Sequence, residues 1–126
     1  MEKIHKEILG MMGKIDIDCR DEQGIVIMDL KGQLDIYNSG ELQRLVDAYL
    51  SRGISGFVMN LEEVTYMDSS TLSVFLHSRQ KVQNRQGRFH LAGLQGNPRE
   101  VFAMAKLHEV FDLFDNVPAA LAAQKS

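Results

Sequence analysis

The chain has 126 residues, 44% of them hydrophobic and 25% charged, an ordinary size and composition for one globular domain that needs no metal or disulfide staple. Lys and Arg number 14 against 17 Asp and Glu, a formal net charge of −3, which argues against a nucleic-acid platform whose affinity comes from neutralising phosphates. No apolar run reaches the roughly 18 residues that cross a bilayer, the N-terminus MEKIHKEILGMMG is too charged for a secretory signal, and the lone Cys19 excludes an intrachain disulfide, so a cytoplasmic protein without membrane insertion is expected.

Residues 1–13 read as an extension in which Ile4, Ile8 and Met11 have helical spacing, with Met12 alongside; an amphipathic helix and a frayed start both fit. The domain itself is placed at 14–126. Over 14–20, KIDIDCR, Ile15, Ile17 and Cys19 alternate with Asp16, Asp18 and Arg20, the period of a half-exposed strand, and Cys19 reads as a small buried hydrophobe. A turn at 21–24 leads to a more buried strand at 25–30, IVIMDL, and the short connection predicts an antiparallel pair. After Gly32 the period becomes helical. Leu42, Leu45, Val46, Tyr49 and Leu50 share one face, Asn38 and Glu41 are spaced as a capping box, and Gly53 ends the segment.

Residues 56–61, GFVMNL, read as a buried strand. Asp68 caps a second helix with the stripe Leu72, Phe75, Leu76, Arg79 and Val82, of which only the Arg79 stem need lie on apolar surface, and Gly87 closes it. Residues 89–92 make another strand. Asn97 is placed as the cap and Pro98 as the first residue of a third helix, with Val101, Met104, Ala105 and His108 on one face. Residues 110–114, VFDLF, read as an edge strand, and 118 onward as a short terminal helix.

Helices alternating with strands require crossover connections. The predicted fold class is therefore α/β: one domain, a mixed β-sheet with an N-terminal antiparallel hairpin followed by alternating helices and parallel strands. Such a sheet gathers its strand-to-helix turns at one edge, where ligands and partners bind. The turns 34–39 (LDIYNS), 67–70 (MDSS) and 93–97 (GLQGN) qualify, and each opens a helix whose free N–H groups favour an anion. Taken alone, Asp68-Ser69-Ser70 is an ordinary helix start.

The longer stretch is more specific. Residues 60–70, NLEEVTYMDSS, resemble the signature of the STAS domain, and within it of the bacterial anti-sigma factor antagonists: a buried strand ending in Asn-Leu, then an apolar residue and Asp-Ser-Ser opening a helix. Gly32-Gln33-Leu34-Asp35 resembles that family's Gly-Glu-Leu-Asp turn, and the likeness runs from about Ile15 to Phe114. The resemblance implies a STAS-like domain that binds an anti-sigma factor with serine kinase activity, is switched off by phosphorylation of Ser69, and is restored by a serine phosphatase. ATP would belong to the kinase; no cofactor and no metal is implied for this chain. The partner-binding residues it implies are Asp35, Asp68, Ser69, Ser70 and Thr71. Thr71 stands where the family has glycine, and its β-branched side chain would crowd an apposed partner while adding a third hydroxyl. A STAS module serving as a non-phosphorylated scaffold or transport accessory is the alternative.

An enzyme is not expected, and no residue is assigned a catalytic role. Ser69, Asp68 and His77 suggest a triad, but His77 lies on the order of 12 Å along the helix from Ser69 by helix rise, out of reach of its proton. No Gly-x-Ser-x-Gly elbow occurs. His5, His77, His90 and His108 are scattered and have no zinc-like spacing with Cys19. Residues 93–96, GLQG, lack the Lys and hydroxyl of a phosphate-binding loop, and Arg79, Lys81, Arg85 and Arg88 read as a solvated basic face.

Overall fold

The computed structural model describes residues 15–125, so the extension expected at 1–13 lies outside the described residues. Alternation at the start of the chain is realised as an antiparallel hairpin: β1 (Ile15–Glu22) and β2 (Ile25–Leu34) pair from Ile15↔Gly32 to Glu22↔Ile25. The two-residue turn between them takes left-handed backbone at Gln23 (φ 56°) and Gly24 (φ 86°), the geometry whose twist matches the flanking strands. Asp21 steadies it by accepting from the Gly24 N–H at 2.8 Å. β2 then runs parallel to β3 (Gly56–Met67), β3 to β4 (Arg88–Ala92), and β4 to β5 (Asp112–Phe114), with the strands in sequence order across the sheet. Parallel neighbours need crossovers, which α1 (Ser39–Ser51), α2 (Ser69–Asn84) and α3 (Gly96–Met104) supply; α4 (Val117–Lys125) follows β5. The architecture is the mixed α/β sheet expected.

The run IVIM at the start of β2 is apolar at every position because both faces of the sheet are covered there. Val26 and Met28 join Phe57 and Met59 of β3 beneath the α1, α2 and α3 layer. Ile25, Ile27 and Val58 point the other way and pack against Val117 and Ala120 of α4. On the first face, Phe75 of α2, Phe89 of β4, Phe102 of α3 and Phe111 form a chain of ring contacts with centroids 5.5 to 6.3 Å apart. The α2 stripe is as expected, with Leu72, Phe75 and Val82 buried and the Arg79 guanidinium 5.8 Å over the Phe111 ring. A Cβ on Gly87 would lie 2.0 Å from the Ser55 carbonyl, so the close approach after α2 requires glycine.

The strands that carry the functional edge are longer than expected. β2 continues to Leu34 and β3 to Met67, paired through Lys31↔Glu63, Gly32↔Val64, Gln33↔Tyr66 and Leu34↔Met67 with shifts of register on the way. Those irregularities break the alternation: Glu62, Glu63, Thr65 and Tyr66 are exposed while Val64 and Met67 are buried, which hides the strand from a periodicity argument.

Three further expectations are corrected. In α3 the cap position is Gln95, Asn97 and Pro98 lie inside the first turn, and the helix stops at Met104, with Lys106 left-handed at φ 59°. Its inner face is centred on Phe102, drawn in by the rings of Phe75 and Phe111, so Met104 is 84% exposed and Ala105 and His108 are also exposed. β5 keeps only Asp112–Phe114, because Leu107–Glu109 forms a 3₁₀ turn. Cys19 is half-buried at the margin of the core rather than inside it.

Candidate functional site

Because β2, β3 and β4 are parallel, their C-terminal ends bring residues 34–39, 67–70 and 93–97 to one edge. Hydrogen bonds join the three turns there. The Asp68 N–H donates to the Leu34 carbonyl at 3.2 Å, the Met67 N–H donates to Asn97 Oδ1 at 3.0 Å, and the hydroxyls of Ser39 and Ser70 lie 3.2 Å apart. Asn97, expected to cap its own helix, instead satisfies the end of the neighbouring strand.

Asp68 caps α2 from an extended backbone (φ −114°, ψ −178°). Its Oδ1 accepts from the Ser70 N–H at 3.0 Å and the Thr71 N–H at 3.4 Å, and also takes the Ser70 hydroxyl proton at 2.5 Å. Since that is the only proton the Ser70 hydroxyl has, Ser39 must donate in the Ser39–Ser70 contact. The relay from Ser39 through Ser70 to Asp68 ties the start of α1 to the start of α2. Thr71 turns inward: it is 0% exposed, and its Oγ1 finds no partner among the described residues. It fills a core position and does not contribute to the partner-facing surface expected of it. Ser69 differs from its neighbours. It is exposed at the first helical position, and among the described residues no hydrogen bond engages its hydroxyl, while its carbonyl accepts from Ser73 Oγ at 3.3 Å.

The neighbouring turn is braced by Asn38, which is buried. Asn38 Oδ1 accepts from the Asp35 N–H at 3.0 Å and its Nδ2 donates to the Gln33 carbonyl at 2.8 Å, so the side chain folds back into its own turn and leaves α1 without a side-chain cap. The expected capping box is absent, and Glu41 pairs with Arg44 at 3.1 Å. Asp35 is half-buried; its carbonyl accepts from the N–H groups of Asn38 (3.2 Å) and Ser39 (2.9 Å), and its carboxylate accepts from the Tyr37 N–H at 2.9 Å. Between these anchors Ile36 and Tyr37 are exposed. Periodicity does not flag this pair; the available signal was two large apolar residues inside an otherwise polar turn.

Of the three hydroxyls that open α2, that of Ser69 alone is exposed and without a hydrogen bond among the described residues. The expectation of open N–H groups at this turn changes, because Asp68 already holds those of Ser70 and Thr71. A phosphate on Ser69 would stand at a helix start whose next two N–H groups are already held by Asp68, and from this exposed position its charge would project outward.

A profile of the STAS domain matches residues 16–120. The chain belongs to the STAS domain family. This STAS chain is 25% identical over 108 residues to the anti-sigma F factor antagonist of Paenibacillus polymyxa, covering 85% of the chain and 92% of that protein. Its fold is similar to that of a Thermotoga maritima protein described as an anti-sigma factor antagonist, with a TM-score of 0.82 at 19% identity over 87% of this chain and 95% of that one. It is also similar to the Bacillus cell fate determinant SpoIIAA in its phosphorylated form, with a TM-score of 0.69 at 19% identity over 85% and 97% of the two chains. At these identities the structural likenesses establish the fold, and the site rests on this chain's own residues.

Other candidate groups lie apart from this STAS edge or are otherwise engaged. No cluster of three His, Cys, Asp or Glu able to hold a metal occurs among the described residues, and no helix among them is long and apolar enough to cross a membrane. His90 is buried beneath α4, 4.8 Å from the Phe114 ring and with Nδ1 3.4 Å from the Ala120 carbonyl. Burial pushes its imidazole below the usual range, against the opposing pull of the Ala120 carbonyl and Asp112. Of the basic residues expected to form a solvated face, Lys81, Arg85 and Arg88 are exposed, and each also has a partner: Lys81 pairs with Asp47 at 3.0 Å, Arg85 donates to the Leu50 carbonyl at 3.2 Å, and Arg88 donates to the Ala123 carbonyl at 2.6 Å. The turn at 93–97 lines a cleft of about 770 Å³ whose charged lining is Glu62, Glu63, Asp115 and Arg99.

Proposed function

We propose that this STAS protein is an anti-sigma factor antagonist of a partner-switching pathway. It binds an anti-sigma factor with serine kinase activity and is switched off when that kinase phosphorylates Ser69; a serine phosphatase restores it. The observation that carries this reading is the contrast within one helix turn: the Ser69 hydroxyl is exposed and unengaged, that of Ser70 is committed to Asp68, and Thr71 is buried. The names of relatives and the phosphorylated form of a protein of this fold support it.

In the transfer step the Ser69 hydroxyl oxygen bonds to the γ-phosphorus of ATP held by the kinase, ADP leaves, and the hydroxyl proton passes to a base of the kinase. The product gains roughly −1.5 to −2 charges beside Asp68. Asp68 already holds the N–H groups of Ser70 and Thr71, and the added charge falls on the interface. A loss of ~3 kcal/mol there weakens binding more than a hundredfold, enough for a switch without a change of fold.

The test is to incubate the chain with an anti-sigma kinase of the same genome and ATP, and to map the phosphate by mass spectrometry. Phosphate is expected on Ser69. Ser69→Ala should abolish modification and keep binding near wild type, and Ser69→Asp should weaken binding in part. Unmodified protein, or binding indifferent to phosphorylation, would overturn the switch and favour a non-phosphorylated scaffold.

A further inference from the structure

Beside Ser69 the edge carries an apolar feature that the fold does not use. Ile36 is 70% exposed and Tyr37 is 75% exposed, adjacent at the tip of the 34–39 turn, and neither joins the hydrophobic core. The turn is nevertheless fixed on both sides of them. Asn38 bonds to Gln33 and Asp35, Asp35 holds the Tyr37 N–H, and the Ser39 N–H returns to the Asp35 carbonyl. Such bracing fixes the backbone from which two large side chains stand out in water. A rigidly presented aromatic loses little freedom on binding, the property of a strong interface anchor.

The same bonds fix where the pair sits. The ends of the turn meet the Ser69 turn through the Leu34 carbonyl with the Asp68 N–H and through the Ser39–Ser70 hydroxyl contact. The pair and Ser69 therefore lie in one contact patch. The carboxylates of Asp35 and Asp68 border it, and among the described residues neither has a cationic partner. A complementary surface would supply Lys or Arg around an apolar socket.

We propose that Ile36 and Tyr37 are the apolar anchor by which this chain docks on its anti-sigma kinase, entering a socket rimmed by basic side chains that answer Asp35 and Asp68. The inference rests on the function proposed above and divides the interface into two parts. The anchor provides affinity in either phosphorylation state, and Ser69 provides the switch.

The test uses the full chain and a kinase shown to phosphorylate the wild type on Ser69. Tyr37→Ala is expected to weaken binding by about 30-fold or more, the scale of a central hot spot. Tyr37→Phe should stay within about threefold of wild type, since the ring rather than the hydroxyl fills the socket. Tyr37→Lys, which keeps a long exposed stem and opposes a basic rim, should bind more weakly still. Phosphorylation of the alanine variant should show a raised KM at nearly unchanged kcat, because the anchor contacts ground and transition states alike. Exposure of these positions predicts melting within about 2 °C of wild type, which separates a lost anchor from a lost fold. Binding and KM within about threefold of wild type for the Ile36→Ala/Tyr37→Ala double variant would overturn the anchor while leaving the Ser69 switch standing. If no anti-sigma kinase of the same genome binds and phosphorylates the wild-type chain, the proposed function is overturned, and the anchor with it.

Discussion

Replacing Thr71 by valine removes a hydroxyl that is 0% exposed and has no hydrogen-bond partner among the described residues, while keeping the branched shape that fills the first turn of α2. A buried hydroxyl left unpaired costs about 1–3 kcal/mol in proteins, and threonine and valine have nearly equal helix propensity. Thr71→Val should therefore stabilise the domain by about 1 kcal/mol, the low end being taken because an added methyl must fit a packed site. With an unfolding entropy of about 2.1 cal/mol/K per residue, that raises Tm by about 4 °C. Thr71→Ser is the counterpart: it keeps the hydroxyl, loses a buried methyl worth about 0.8 kcal/mol, and should melt below wild type. Thr71→Gly, the family's own residue, also removes the hydroxyl but loses the same methyl and about 0.4 kcal/mol of helix propensity, so it should melt below Thr71→Val. Urea and thermal unfolding of the three variants give the order directly. A Thr71→Val protein less stable than wild type by more than about 0.5 kcal/mol would show that the hydroxyl has a partner and refute the reasoning. Because Thr71 lies beneath the surface, Thr71→Val should leave Ser69 phosphorylation unchanged.

Asp68→Ala should cost about 1–2 kcal/mol by uncapping α2, and Asp68→Asn, which keeps an acceptor, should cost less; equal urea midpoints for Asp68→Ala and wild type would contradict the cap. The pH dependence of stability should carry the mark of His90, whose folded-state pKa burial holds below the ordinary 6.5. Its contribution is fully present above about pH 6.5, where the imidazole is neutral folded and unfolded, and is lost as pH falls further, because the unfolded chain takes up the proton first. His90→Phe, which retains an aromatic contact with Phe114, should flatten that decline between pH 7 and 5, and an unchanged slope would assign the decline to other groups.

Local pattern was enough for the elements and for the switch candidate. The alternation of Ile15, Ile17 and Cys19, the helical stripes through Leu42 to Leu50 and Leu72 to Val82, and Asp68 as a cap are properties of short windows, where a period of two or 3.6 reports a buried face. The order of those elements implied parallel strands, and hence a shared edge for the three turns. The signature around Asp68-Ser69-Ser70 pointed to the family for the same reason, since the residues that carry it are contiguous.

What the tertiary structure decided was set by neighbours far along the chain. Asn38 and Asn97 have the composition of helix caps, yet one bonds back into its turn and the other reaches the N–H of Met67, a competition that local spacing cannot resolve. The last residues of β3 are held by β2 across register shifts, so their strand character comes from the partner ladder and not from their own period. Met104 is exposed because the rings of Phe75 and Phe111 draw Phe102 inward instead. In sequence only the family resemblance sets Ser69 apart from the two hydroxyls that follow it, and packing supplies the physical difference. Helix geometry turns Thr71 into the core, Asp68 and Ser39 engage Ser70, and Ser69 alone is left facing solvent.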